Sequence, residues 1–264
     1  MSTEIPSRSE VLPTEGPHLS VVIPAYNEEA RIGSTLDRML AYFDLQDFDV
    51  EILVVDDGST DATQAVVRAT AGEHPNVRIL HYDGNHGKGF AVRYGMTRAE
   101  GNYVLFSDAD ESTPIREVEK LYEALRTGSD VAIGSRDVAS SKLTRHQSAL
   151  REAGGKLFNR FVQMLAVPGI HDTQCGFKLF TRAAAQNIFS RCQIDNFSFD
   201  VEALYIARHL GYTISEVGIE WHHCEGSKVS YVRDSVRMLG TLFRIRATDY
   251  QVKHAGMRRT IRMD

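Results

Sequence analysis

The run from Asn102 to Asp110 (Asn-Tyr-Val-Leu-Phe-Ser-Asp-Ala-Asp) constrains the chain more than any other segment. An apolar stretch that reads as a buried strand stops abruptly at two carboxylates, Asp108 and Asp110, one alanine apart. Ligands of open α/β sheets collect at such strand ends, and hard oxygens on a short turn suit Mg²⁺ or Mn²⁺ bridging to substrate phosphates. An isolated Asp-x-Asp is also ordinary turn chemistry, because aspartate bonds its own backbone. Two upstream strand ends decide between these readings. Leu19–Pro24 is an apolar run followed by Ala25-Tyr26-Asn27-Glu28-Glu29, and Val50–Val55 ends in Asp56-Asp57-Gly58-Ser59-Thr60-Asp61. Each precedes a helical pattern, so right-handed crossovers put all three polar clusters on one edge of one parallel sheet. One site assembled from three loops is the economical explanation.

The rest of the first half alternates in the same way. Ile32, Leu36, Met39, Leu40 and Phe43 recur at helical spacing, which predicts an amphipathic helix over Glu28–Phe43. A second is expected over Thr60–Glu73 with Ala65, Val66 and Ala69 inward, then a strand at Val77–Leu80. The loop Asn85-His86-Gly87-Lys88-Gly89 opens a helix over Phe90–Ala99, and its glycines either admit backbone N–H groups to a phosphate or make a tight turn. A helix at Pro114–Leu125 and a strand at Asp130–Gly134, ending in Ser135-Arg136, complete an α/β pattern of the doubly wound parallel kind. The second half is less regular: a helical stretch over Leu143–Leu165, the segment Asp172–Lys178, and a helix from Phe197 to Leu210. Asp200 and Glu202 fall on different faces of that last helix. Either both are first-turn charges serving its dipole, or Asp200 looks into the site while Glu202 supports a neighbour.

A formal charge of −5 argues against a general nucleic-acid binder. The charge is uneven: Gly226–Asp264 holds nine basic residues against three acidic ones. In that segment Val229, Val232, Val236, Leu239 and Phe243 share one helical stripe, and Arg233, Arg237 and Arg244 another. This is either an interfacial helix drawn to anionic lipid or a helix packing its stripe on the domain. Three scattered cysteines, Cys175, Cys192 and Cys224, read as idle thiols in a reducing, cytoplasmic compartment. Residues 1–18 are polar with three prolines, lack the features of a signal peptide and are expected to be disordered. No run approaches the ~20 apolar residues of a spanning helix.

With these residues in place, the chain resembles the inverting family-2 glycosyltransferases of the GT-A fold, in Val21–Glu29, Val55-Asp-Asp-Gly-Ser59 and Asp108-Ala-Asp110. Asn85-His-Gly-Lys-Gly89, Ile133-Gly-Ser-Arg136, Asp172–Arg182, Phe199-Asp-Val-Glu202 and Glu225-Gly-Ser-Lys228 resemble its dolichyl-phosphate β-glucosyltransferase branch. The resemblance runs from about Leu19 to Arg246. It implies a mostly parallel sheet flanked by helices, divided as a disordered segment (1–18), a GT-A domain (19–225) and a basic C-terminal helical segment (226–264). Members of the branch usually carry an N-terminal membrane helix, which this sequence does not show, so only peripheral contact with the cytoplasmic membrane face is expected. Related mannosyl-phosphate synthases place glutamine where this chain has Ser112, which weakens a GDP-mannose reading.

The function implied is transfer of glucose from UDP-glucose to a polyprenyl (dolichyl-type) phosphate, with Mg²⁺ or Mn²⁺. Pro24, Tyr26, Glu28, Asp56, Asp57 and Lys88 are the expected nucleotide-sugar residues. Asp110 is the first metal ligand, and Asp108 touches metal, ribose or sugar. Arg136, Arg151, Gln174 and Lys178 are the expected acceptor-phosphate residues, and Asp200 orients hydroxyls or serves as base if the acceptor is neutral. Catalysis is assigned to Asp108, Asp110, Asp200 and Arg136. His222 and His223 either approach the metal or lie on the surface. The competing readings are a GDP-mannose-dependent synthase, a transferase to a soluble acceptor, and a non-catalytic nucleotide-sugar-binding scaffold.

Overall fold

A computed structural model describes residues 16–138, 142–143, 166–222, 240–250 and 261–263. The strands are β1 (Leu19–Ala25), β2 (Val50–Asp56), β3 (Val77–His81), β4 (Tyr103–Ser107), β5 (Val131–Ser135), β6 (Lys142–Leu143), β7 (Phe177–Thr181), β8 (Ile214–Gly218), β9 (Glu220–Trp221) and β10 (Ile261–Met263). The helices are α1 (Ile32–Phe43), α2 (Thr63–Glu73), α3 (Lys88–Met96), α4 (Val118–Arg126, after a 3₁₀ turn at Ile115–Glu117), α5 (Arg182–Phe189) and α6 (Phe199–His209). The main sheet has the order β10-β8-β5-β7-β4-β1-β2-β3, and β6 pairs β9 in a small parallel ribbon.

The β1, β2, β3 and β4 strands run parallel, in the order that places β1 between β2 and β4. Ala25 is level with Asp56, so the chain leaves β1 and β2 side by side. The sequence expects a mostly parallel sheet, and β7 is the strand that runs against the rest, pairing antiparallel with both β4 and β5. That reversal brings the start of β7 to the end of β4, with Phe177 opposite Ser107.

Alternation on the buried strands divides the core between the two faces of the sheet. Val22, Leu53, Val55 and Phe106 pack with α3, α5 and α6, whereas Val21, Ile23, Ile52 and Val54 pack with α1 and α4. Helix α1 buries all five residues of its predicted stripe. Helix α2 does not follow the expected face: Thr63 and Val67 are buried, Val66 partly so, while Ala65 and Ala69 are exposed. One branched side chain therefore fixes the roll of a helix whose alanines carry little orienting energy.

Glycine is required where α3 begins. Gly87 has φ +102°, and a Cβ there would lie 2.5 Å from the carbonyl oxygen of Asp195. Close approach of this loop to residues 194–196 follows, and the N–H of Gly89 donates to Asp195 O at 2.8 Å.

Of the predicted C-terminal stripe, Val229, Val232, Val236 and Leu239 lie outside the described residues, as does most of the helix expected over Leu143–Leu165. Within 226–264 the described residues are helical over 240–247 and form the edge strand β10, parallel to β8, so the segment is not helical throughout. Phe243 is exposed, whereas Leu242, Ile245 and Tyr250 join the core. Tyr250 donates its hydroxyl to the fully buried Glu202 at 2.9 Å, and the same carboxylate accepts the N–H groups of Gln193 (2.9 Å) and Ile194 (3.0 Å). No helix among the described residues is long and apolar enough to cross a membrane.

Removing Glu202 leaves two N–H groups and a phenol without their acceptor. Glu202→Ala is expected to lower the unfolding free energy by about 3 kcal/mol and Tyr250→Phe by about 1 kcal/mol. Denaturant titration followed by circular dichroism checks both values and their order.

Candidate active site

The turn after β4 is gripped from α1. The Thr35 hydroxyl donates to Ala109 O at 2.9 Å, and Arg38 pairs with Glu111, a non-glycine residue at φ +50°. Asp110 Oδ1 accepts the N–H of Ser112 at 3.0 Å, which closes an Asx turn. From the far side the backbone N–H of His222 donates to Ser112 O at 2.7 Å. His222 thus borders the turn, and His223 is outside the described residues.

Asp108 meets β7 directly. Its N–H donates to Gly176 O at 3.0 Å, and Lys88 Nζ lies 2.7 Å from its Oδ1. A Cβ on Gly176 would sit 1.9 Å from Asp108 Oδ2 and 2.2 Å from its Cγ. The carboxylate occupies the space that any other residue at 176 would fill.

Behind Asp108 lies a second ion pair. Lys178, the residue after Phe177, is buried and donates to Cys175 O at 2.5 Å and to Asp200. The ammonium groups of Lys88 and Lys178 flank the ring of Phe106, 5.5 and 5.7 Å from its centroid. Burial opposes the charge of Lys88, but Asp108, Asp200 and Asp110 outweigh it and hold its pKa above the ordinary value. Burial pushes the Asp200 carboxyl upward against the pull of Lys178 and Lys88. Lys178, expected at the acceptor phosphate, has its ammonium bonded to Asp200 and a carbonyl inside the protein.

Arg136, at the end of β5, is committed in a similar way. Its Nε and NH2 form a fork on Asp172 at 2.7 and 2.9 Å, and its backbone N–H reaches the same carboxylate at 3.0 Å. Burial works against the guanidinium charge, and Asp172 more than restores it, raising the pKa. Asp172 is itself positioned by Glu216 of β8, which accepts its N–H at 2.7 Å and both the N–H and Nδ1 of His171. Gln174, half-buried, donates its N–H to Asp172 at 3.2 Å. Arg151 lies outside the described residues.

The β1 and β2 ends are stitched together. Asn27, at φ +53°, receives the N–H of Thr60 at 2.8 Å and donates its own N–H to Ser59 Oγ at 2.9 Å. Glu28 donates its N–H to Thr63 Oγ1 and pairs with Arg31. Pro24 is half-buried beside Tyr26, which is 37% exposed. Asp56 accepts from Ser59 N and, at 2.7 Å, from Gln64. Asp57 accepts from Tyr82 OH (2.9 Å), His86 N (2.8 Å) and Gly87 N (2.9 Å), so its carboxylate moors the loop that carries Lys88.

Two contributors escaped the sequence reading. Gly176 sits inside the recognised Asp172–Lys178 motif, but only strand pairing reveals what it faces. Trp221, on β9, lines a slot with Ser107, Asp108, Ser112, Thr113 and Gly176. Its being the sole tryptophan of the chain was the available signal.

The donor set at the turn fits a hard cation. Asp108 and Asp110 offer carboxylate oxygens within three residues, and the described residues hold no preformed group of three or more His, Cys, Asp or Glu side chains suited to a metal. A cation held there by Asp108 and Asp110 would need further oxygen ligands from phosphates and water, which suits Mg²⁺ or Mn²⁺.

The profile of Glycosyl transferase family 2 matches residues 20–189, and the chain belongs to that family. It is a glycosyltransferase. Within the family it is similar to proteins named dolichyl-phosphate beta-glucosyltransferase. The one from Dictyostelium discoideum is 38% identical over 89% of this chain and 75% of its own length, and that from Drosophila melanogaster 40% over 86% and 74%. The human protein is 38% identical over 80% and 69%. Among solved structures, glucosyl-3-phosphoglycerate synthase from Mycobacterium tuberculosis, in complex with Mn²⁺, UDP and glucosyl-3-phosphoglycerate, aligns with TM-score 0.65 at 20% identity, over 89% of this chain and 81% of that one. Mannosyl-3-phosphoglycerate synthase from Rubrobacter xylanophilus aligns with TM-score 0.59 at 20% identity, over 88% and 73%. These likenesses establish the GT-A fold.

Gly176→Ala is expected to displace the Asp108 carboxylate and lower kcat/KM about 100-fold, the scale of an ångström-sized misplacement. The melting temperature should change by only a few degrees. Steady-state kinetics alongside a thermal melt separates the two effects.

Proposed function

We propose that this glycosyltransferase moves glucose from UDP-glucose to a polyprenyl (dolichyl-type) phosphate, with inversion at the anomeric carbon and with Mg²⁺ or Mn²⁺. The observation that carries this reading is the convergence of Asp108, Asp110, Lys88 and the Lys178–Asp200 pair at one sheet edge. It is met in a chain 38–40% identical to proteins named for glucosyl transfer to dolichyl phosphate.

Pro24, Tyr26 and Glu28 hold the base and ribose, on a loop that Asp56 and Asp57 keep in shape. Lys88 stands where the diphosphate lies and supplies a positive charge to the leaving group. Asp110, with Asp108, would hold the ion, which when bound neutralises charge on the departing diphosphate. The acceptor phosphate is anionic near neutral pH, so its oxygen attacks the anomeric carbon without a strong base as the bond to the UDP oxygen breaks. Arg136 and Gln174 border its path. Lys178 acts from behind, by fixing Asp200 toward the reacting groups. A lipid acceptor brings the protein to the membrane surface, and the basic C-terminal residues suit an anionic leaflet.

With radiolabelled nucleotide sugars and a short polyprenyl phosphate, UDP-glucose with Mg²⁺ or Mn²⁺ should send label into the organic phase only when the acceptor is present. Asp110→Ala should lower that turnover by at least about 1,000-fold while leaving the melting temperature near wild type. Transfer from GDP-mannose alone, lipid-independent donor use, or near-normal activity of the variant would each overturn the corresponding part of the assignment.

A further inference from the structure

Trp221 has no part in the chemistry above, yet its indole stands beside Asp108. The β9 strand that carries it is held by pairing with β6 and by the His222 N–H to Ser112 O bond at 2.7 Å, so the ring is tied to the same turn as Asp108 and Asp110. The guanidinium of Arg136 lies 5.4 Å from the ring centroid and is itself fixed by Asp172. The slot between the indole and Asp108 has a volume of about 10 Å³, the room of a single water-sized group. Its other walls are formed by Ser107, Ser112, Thr113 and Gly176, three of them hydroxyl-bearing residues.

That lining selects among the possible occupants. A pyranose presents C–H groups made slightly positive by their oxygens, which suit the negative face of an indole, and it carries hydroxyls that need polar partners. A prenyl chain has no hydroxyl for the slot. The nucleotide loops sit on the other side of β4, at the ends of β1 and β2, whereas Trp221 follows β8, where the Ile219 N–H bonds Ser135 O at the end of β5. In a UDP-sugar the group that follows the nucleotide and its diphosphate is the sugar.

We infer that Trp221 is the platform on which the sugar of the donor rests, with the slot beside it admitting one sugar hydroxyl. The inference rests on the UDP-sugar reading above and adds a residue that selects and positions the sugar rather than the nucleotide.

The sole tryptophan makes the test direct. Binding of UDP and of UDP-glucose, each with Mg²⁺, is measured by calorimetry, which does not depend on Trp221. Tryptophan emission is then recorded at saturation with either ligand. UDP-glucose should change the emission and UDP should leave it nearly unaltered. In kinetics, Trp221→Leu should lower kcat/KM for UDP-glucose about 10-fold and Trp221→Phe about 3-fold or less, since phenylalanine keeps an aromatic face. Inhibition by UDP should be unchanged in both. Among singly deoxygenated glucose donors, one should be a poorer substrate for the wild type, and that penalty should shrink in Trp221→Leu.

UDP-glucose that binds without a sugar-dependent change in emission would overturn the inference while leaving the donor reading intact. So would a Trp221→Leu variant that weakens UDP as much as UDP-glucose, which would make the residue structural. Absence of binding heat with both nucleotides would overturn the donor reading, and the inference with it.

Discussion

Asp57 lies almost wholly out of water at the end of β2, and a carboxylate in that position must be satisfied by donors or lose its charge. The loop carrying Lys88 supplies those donors, from Tyr82, His86 and Gly87. The same constraint shapes the other loops of the site. Buried Glu202 gathers the segment before α6, and buried Glu216 gathers the segment that ends in Asp172, which in turn gathers Arg136. Each loop is held by the cost of leaving a buried anion unpaired, and the last two also by apolar packing through Ile194 and through Val167 and Ile170. A site built this way is organised before any ligand arrives, which is what electrostatic stabilisation of a leaving group requires.

Much of this was legible in the sequence, and the reason is geometric. Parallel strands with right-handed crossovers put their ends on one edge whatever the side chains are, so the clusters after β1, β2 and β4 could be joined from strand and helix patterns alone. Helix α1 was legible for a different reason: its five large apolar residues leave no second way to roll. Helix α2 lacks that contrast, and Ala65 and Ala69 gave a face that Thr63 and Val67 overrode. The direction of β7 was not legible, because a run such as Phe177–Thr181 reads the same whether its neighbours run with it or against it. With that direction hidden, the contact of Gly176 with Asp108 was hidden as well.

Lys178 shows the limit most sharply. A lysine in a strand reads as an exposed charge, since lysines are rarely buried without a partner. Its partner, Asp200, is 22 residues away on another element. Nothing in local periodicity joins the two, and only the fold shows that they are buried against one another. Asp56 and Asp57, expected at the nucleotide, also shape the loops around it through bonds that no local pattern shows.

The two lysines beside Phe106 differ in how they can respond to a bound anion. Lys178 is sealed: moving its ammonium would strip Asp200 of its neutralising partner inside the protein, a cost of several kcal/mol. Lys88 keeps about a quarter of its side chain in solvent and pairs with a carboxylate that is itself about a third exposed. Its ion pair is therefore the weaker of the two and the one that can be exchanged. On the proposed reading, a diphosphate at the strand ends would compete for Lys88, while the Lys178–Asp200 pair would stay in place. Burial has sorted two chemically identical side chains into a mobile charge and a structural one.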